Sequence, residues 1–208
     1  IAPEGGSQRL RDVINKGLTD DQILATIDNI FKLGWRGVKL YFMIGLPTET
    51  DADLQAIVEL AQRIKLLGSA KGKDIVINAS TFVPKPHTPF QWVAQISPAE
   101  TERRQHFLAS KLRALKVGYR FHDSFSSLLE GVFSRGGRDL ASLIERAYEM
   151  GCRLDSWPEY LNRDAWERAF EAEGLDPLIF IAGREHIFRK DVVDGHAEIL
   201  PWQHLSVR

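Results

Sequence analysis

Cysteine is nearly absent from this chain: one residue, Cys152, in 208. A lone thiol excludes an intrachain disulfide and any metal site built from several thiolates of this chain. An excess of either charge is lacking too. The formal net charge is -1, so no global field calls for nucleic acid or an anionic membrane surface. No apolar run reaches membrane-spanning length, and the first residues carry no secretory signal pattern. The expectation is a cytoplasmic protein with neither membrane nor nucleic-acid partner. Repeats and low-complexity tracts are missing as well. What is present is ordinary for a globular protein: 44% hydrophobic and 26% charged residues. The length suits one large domain, or one domain with a small appendage. Because the chain starts Ile1-Ala2-Pro3 rather than with Met, it is expected to be a piece of a longer polypeptide, with the upstream half as its partner.

Two halves differ in their grammar, and the expected break lies at residue 95. Residues 1–95 alternate strands and helices. Ile1-Ala2 reads as the tail of a strand, and Ser7 to Lys16 as a short helix stopped by Gly17. Thr19-Asp20-Asp21-Gln22 is a capping-box pattern, followed by Ile23, Ile27, Ile30 and Phe31 at helical spacing and by Gly34 as a stop. Val38 to Ile44 is nearly continuous in apolar residues, the pattern of a strand buried on both faces. Thr50 caps a helix with an apolar face of Leu54, Ile57, Val58, Ala61 and Ile64. A β-branched run from Ile75 leads the next strand, to residue 83. Helix-length crossovers between such strands imply a parallel sheet. Residues 96–208 are mostly helical. Helices are expected from Pro98 to about Lys116, then near 124–133, 139–150 and 163–173, with a strand at 117–121. Beyond Pro177 the pattern is irregular.

Each of the three early strands ends in a loop rich in glycine or proline. Pro3-Glu4-Gly5-Gly6-Ser7 either lets backbone N–H groups approach a ligand at a helix start, or is a tight turn with Ser7 as N-cap. Gly45-Leu46-Pro47-Thr48-Glu49-Thr50 occupies the equivalent place one strand later, where Glu49 is either a ligand contact or a carboxylate at a helix start. Thr81 to Phe90 holds Pro84, Pro86 and Pro89 around Lys85 and His87, and cannot continue a helix or a central strand. Parallel strands would gather these loops at one mouth. His122 is either an oriented imidazole for proton transfer or a solvated turn residue. Arg135 either binds an anion or sits in an exposed loop. Trp157, Trp166 and Phe170 read as core. Cys152 reads as a small buried hydrophobe.

Taken together, the three loops resemble the second half of a radical S-adenosylmethionine (SAM) domain, in the order of its fourth, fifth and sixth strands. The chain most resembles B12-binding-domain-containing radical SAM proteins. Leu128 to Gly136, Gly151 to Trp157 and Leu200 to His204 are similar to their C-terminal region. The implied fold is α/β: the C-terminal half of a partial (β/α)6 TIM-like barrel, followed by a mostly helical substrate-side region.

The resemblance implies cofactor contacts at Glu4, Gly5, Gly6, Ser7, Lys16, Tyr41, Gly45, Val83 and Pro84. Glu4 would hydrogen-bond SAM, Lys16 would meet its carboxylate, and Val83 and Pro84 would pack on the adenine. Tyr41 stands where many relatives place an aspartate on the ribose. Lys85, His87, His122 and Arg135 are substrate-side candidates. The implied parent is an iron–sulfur oxidoreductase-like enzyme that cleaves SAM reductively for radical chemistry. Its implied cofactors are SAM and a [4Fe–4S] cluster. Its B12-dependent relatives imply cobalamin and methyl transfer. The cluster needs three cysteines in a C-x3-C-x2-C loop, and this chain has one, so alone it is expected to be inactive and to hold no metal. The alternative is a non-catalytic half-barrel and helical module that binds a partner or substrate.

Overall fold

The computed structural model describes residues 1–183. The motif from Leu200 to His204 lies outside them. The described chain forms two compact units. The first comprises residues 1–82 and 99–122, and the second begins with residues 83–98 and resumes at Asp123.

The first unit is built on a parallel sheet of β1 (Gly37–Ile44), β2 (Asp74–Thr81) and β3 (Gly118–Phe121), in that spatial order. The N-terminal residues extend it along the free edge of β1. Tyr41 N–H donates to the Ile1 carbonyl at 3.0 Å, Glu4 N–H to the Tyr41 carbonyl at 3.1 Å, and Met43 N–H to the Glu4 carbonyl at 2.8 Å. Four parallel segments therefore lie side by side. The sequence break expected at residue 95 does not coincide with the division into units. Residues 99–122 supply a helix and the third strand of the first sheet.

Helices α1 (Gln8–Val13), α2 (Asp20–Lys32), α3 (Asp51–Lys65) and α4 (Pro98–Ala114) accompany this sheet. α2 starts as its sequence dictates: Gln22 N–H donates to the Thr19 hydroxyl, and Thr19 N–H to the Gln22 amide oxygen. Ile23, Ile27 and Phe31 of α2 share one core with Leu54, Ile57 and Ile64 of α3, Leu108 and Leu112 of α4, and alternate residues of β1 and β2. Each such side chain contributes about 1.5–3 kcal/mol when fully removed from water.

β1 differs from its expected pattern. Val38, Leu40, Phe42 and Ile44 are buried, whereas Lys39 and Tyr41 are exposed and Met43 is half-buried. The helices cover one face only, so the apolar run is not buried on both sides. β2 repeats this, with Ile75, Ile77, Ala79 and Thr81 buried and Val76, Asn78 and Ser80 half-buried. One face of the first sheet is thus left open within its own unit.

The second unit is helical: α5 (Ser124–Arg135), α6 (Leu140–Glu149), α7 (Arg163–Ala172) and the short α8 (Pro177–Ile181). Phe125, Leu128, Val132, Leu143, Trp166 and Phe170 form its core, with Cys152 among them. Trp157, expected in that core, is 58% exposed. It lies in a turn between helices, outside the apolar stripe of either. Gly131 sits at a close approach: a Cβ there would meet the Gln95 amide oxygen at 2.2 Å and an Ile181 methyl at 2.8 Å, so those side chains would have to shift.

Candidate functional site at the carboxyl edge of the sheet

Register sets which loops share an edge. Ile44 pairs with Thr81, and Glu4 bridges Phe42. Gly45 follows β1 directly, so the Glu4 and Gly45 loops open at the carboxyl end of the same sheet. The chain leaves β2 at that end too, where Phe82 N–H donates to the Ile44 carbonyl at 2.8 Å. Val83 and Pro84 are buried and belong to the second unit.

Glu4 has a φ of 67° and Gly45 a φ of 87°. The left-handed region costs glycine little and a glutamate more. Strained non-glycine backbone of this kind is held by its surroundings. The Glu4 carboxylate faces the Lys16 ammonium at 3.8 Å, and both side chains are partly exposed.

Arg11 holds the Glu4 loop from beneath. Its side chain has no exposed surface. Nε donates to the Leu18 carbonyl at 2.8 Å, and one terminal nitrogen donates to the Gly5 and Gly6 carbonyls at 3.1 Å each. The other donates to the Gln8 amide oxygen at 3.2 Å and to Asp20. All five guanidinium donors are therefore used. Asp20 also pairs with Arg63 of α3 at 2.5 Å.

A second network ties the two loops to each other. The Ser7 hydroxyl caps α1 by accepting from Leu10 N–H, and donates to Asp53 of α3. Asp53 also accepts from the backbone and hydroxyl of Thr50 at 2.8 Å each, and from Arg9 at 2.5 Å. Arg9 reaches the Thr48 carbonyl at 2.9 Å. Burial raises the Asp53 carboxyl, but the bonds from Ser7, Thr50 and Arg9 outweigh it and hold the group down to about 2. Gly6 is needed for this packing, since a Cβ would lie 2.1 Å from the Asp53 carbonyl oxygen. The paired glycines thus serve the contact between loop and helix. Both are buried.

Glu49 lies beneath the second loop with no exposed side-chain surface. Its Oε2 accepts from Gly45 N–H at 2.6 Å and from Arg104 of α4. Its Oε1 is buried without a hydrogen-bond partner. Burial pushes this carboxyl up to about 7, against the pull of Gly45 N–H and Arg104.

Tyr41 stands on the open face, 47% exposed. It is in register with Asn78 of β2, which is in register with Arg120 of β3. His122 follows β3. These four side chains and Ser80 line a cavity of about 420 Å³. His122 is exposed, and its carbonyl accepts from Gln105 at 2.8 Å.

The other substrate-side candidates belong to the second unit. Lys85 pairs with Glu130 at 2.5 Å and reaches Ser134 at 3.0 Å. His87 is exposed with a φ of 60°. Arg135 is 1% exposed, so it sits neither in an exposed loop nor at a ligand-facing surface. It donates to the Val93 and Ala182 carbonyls at 2.8 and 2.9 Å, fastening the proline-rich loop and the end of α8 to α5. Cys152 is buried, which pushes its thiol pKa up. Among the described residues no group of His, Cys, Asp and Glu forms a metal site, and no helix is long and apolar enough to cross a membrane.

Sequence reasoning missed Arg11, Asp53, Arg9 and Arg104. The spacing from Thr50 to Asp53 was a visible sign, since a carboxylate three residues after a capping threonine reaches back to the cap. The local partners, Gln8 for Arg11 and Glu100 for Arg104, sit at ordinary helical spacing and do not distinguish these arginines. The contacts that matter, to the Gly5, Gly6 and Leu18 carbonyls, to Asp20 and to Glu49, leave no local mark.

A parallel sheet with its glycine-bearing loops locked together at the carboxyl edge defines an α/β protein, and in open α/β sheets that edge is where ligands bind. Residues 1–61, which contain both loops, match the family model of the Radical SAM superfamily. Through this segment the chain is similar to that superfamily. It is 30% identical over 177 residues to an uncharacterized protein of Methanocaldococcus jannaschii, covering 84% of this chain and 38% of that protein. It is 28% identical over 161 residues to a tRNA-2-methylthio-N(6)-dimethylallyladenosine synthase of Roseobacter denitrificans, covering 76% of this chain and 32% of that one. The chain thus spans about a third of the length of these relatives. No solved structure matches it.

Proposed function

We propose that this chain is the C-terminal half of a radical SAM partial barrel, and that it supplies loops that hold SAM in a longer enzyme. The observation that carries this is the Glu4–Lys16 pair. It offers a carboxylate and an ammonium at 3.8 Å, at the mouth formed by the superfamily-matching segment. The amino acid end of SAM carries the complementary ammonium and carboxylate. Glu4 would take the first and Lys16 the second, with the Gly45 backbone beside the adenine and Tyr41 on the ribose.

A cluster does not fit the residues present. The single thiol, Cys152, is buried in the helical unit, and one thiolate cannot replace three. A bound cluster would supply the electron that cleaves SAM, and its ligands would have to come from outside these 208 residues. This chain's own part would be to bind and orient SAM. Methyl transfer and cobalamin extend the same proposal and rest on the sequence resemblance alone.

The test is equilibrium binding of SAM to the cluster-loaded polypeptide that carries this segment. Glu4→Ala should weaken SAM binding by about 1–2 kcal/mol, the lower part of the range for a lost charged partner, because Glu4 is partly exposed. Lys16→Ala should cost less, about 0–1 kcal/mol, since its ammonium is more exposed than the Glu4 carboxylate. Unchanged affinity in a folded Glu4→Ala protein would reject the cofactor role. It would leave a module whose loop residues serve packing alone.

A further inference from the structure

We infer that the open face of the sheet binds the anionic group of a small ligand, a carboxylate or phosphoryl group, between Asn78, Arg120 and His122. Three observations carry this. First, the sheet register sets Tyr41, Asn78 and Arg120 in one row across β1, β2 and β3, and His122 follows one row further toward the carboxyl edge. Second, the row lines a cavity of about 420 Å³ whose lining contains cationic and neutral side chains and no aspartate or glutamate. A volume of this size suits a small molecule. Third, the donors there are not engaged. The Asn78 Nδ2 is buried and has no hydrogen-bond partner among the described residues. A buried amide donor of this kind costs free energy until an acceptor arrives.

Arg120 completes the chemistry. It is exposed, and no ion pair involves it among the described residues, unlike Arg9, Arg63, Arg103 and Arg104 of the same unit. A guanidinium fork beside an amide N–H and an imidazole matches the two or three acceptor oxygens of a carboxylate or phosphoryl group. Ser80 adds a hydroxyl, and the exposed Tyr41 ring offers a wall for the uncharged part of the ligand. Anion binding stands on this geometry alone. That the ligand is the enzyme's substrate rests on the proposed function above.

The experiment needs neither cluster nor SAM, so its failure is distinguishable from failure of the SAM reading. The isotope-labelled 208-residue chain is titrated with inorganic phosphate, and separately with acetate, at constant ionic strength. Side-chain NMR signals of Asn78, Arg120 and His122 are followed. Saturable shifts confined to this row are expected. Saturation by phosphate alone identifies a phosphoryl ligand, and by acetate alone a carboxylate. R120Q should weaken binding about tenfold or more, as loss of a charged partner does, while circular dichroism and Tm stay unchanged because the side chain is exposed. N78L should weaken it severalfold, and K65Q, outside the cavity, should not. Shifts spread over the surface lysines, no saturation with either anion, or equal affinity in R120Q would each overturn the proposal.

Discussion

Arg11→Met is expected to destabilise the first unit by about 3–5 kcal/mol, the range for removing one member of a buried ionic network. The side chain has no exposed surface, and five acceptors depend on it: three backbone carbonyls, the Gln8 amide and Asp20. Methionine fills a similar volume and supplies no donor, so the Gly5, Gly6 and Leu18 carbonyls lose their partner in a place water reaches poorly. Arg11→Lys should recover little of the loss, because one ammonium cannot reproduce a planar fork that reaches the turn on one side and the start of α2 on the other. Arg9→Met is the comparison: that side chain is 51% exposed, and Asp53 keeps its bonds from Ser7 and Thr50, so the cost should stay below about 1 kcal/mol. Urea unfolding followed by circular dichroism measures all three. Amide exchange should show the Arg11→Met loss concentrated at Glu4 to Ser7. If Arg11→Met proves no more damaging than Arg9→Met, the buried guanidinium is not what holds this loop. The functional corollary is that loosening the loop releases Glu4 from its left-handed conformation, and with it the Glu4–Lys16 pair.

What the sequence made legible was the local part. The capping box at Thr19 to Gln22, the helices from Asp20, Asp51 and Pro98, and the strands at Gly37 and Asp74 follow from periodicity and caps, which are short-range properties. The strand at Gly118 was legible from its position after a helix. The open face of β1 was not. Val38 to Ile44 has one charged residue in seven, and Tyr41 and Met43 look apolar whether they face a core or a cavity. Only the partner elements decide that, and helices cover a single side. The loops were legible as a group but not in their workings. Gly6 reads as a ligand-side glycine until α3 is seen packed against it, and Arg135 reads as a surface cation until its two carbonyl partners are known. Long-range pairs such as Arg104 with Glu49, 55 residues apart, leave no periodic trace.

Glu49 should make the first unit less stable as pH rises from about 4.5 to about 7. Its folded-state carboxyl titrates near 7, against an ordinary value of 4.5. Between those values the folded chain keeps a proton that the unfolded chain has released, so deprotonation favours unfolding. The contribution is fully present below about 4.5, declines through the window, and is gone above about 7. Its size is about 3 kcal/mol for a shift of this order, at about 1.36 kcal/mol per pKa unit. Asp53 and Glu100, both held down to about 2, act in the opposite sense and at lower pH, as the chain is acidified below the ordinary carboxylate range. They leave this window to Glu49. The physical cause is burial with one oxygen unpaired: Oε2 has Gly45 N–H and Arg104, whereas Oε1 has nothing. Glu49→Gln copies the protonated shape, keeps an acceptor for Gly45 N–H, and cannot ionise. Its stability should therefore be flat where the parent's falls. Urea unfolding at about pH 5 and about pH 8 separates the two. After allowance for the intrinsic rise of amide exchange with pH, protection of the first unit should fall across the window in the parent only, following its stability. A parent whose stability rises across the window would mean that the Arg104 ion pair outweighs desolvation, and equal slopes in parent and variant would assign the pH dependence to other groups.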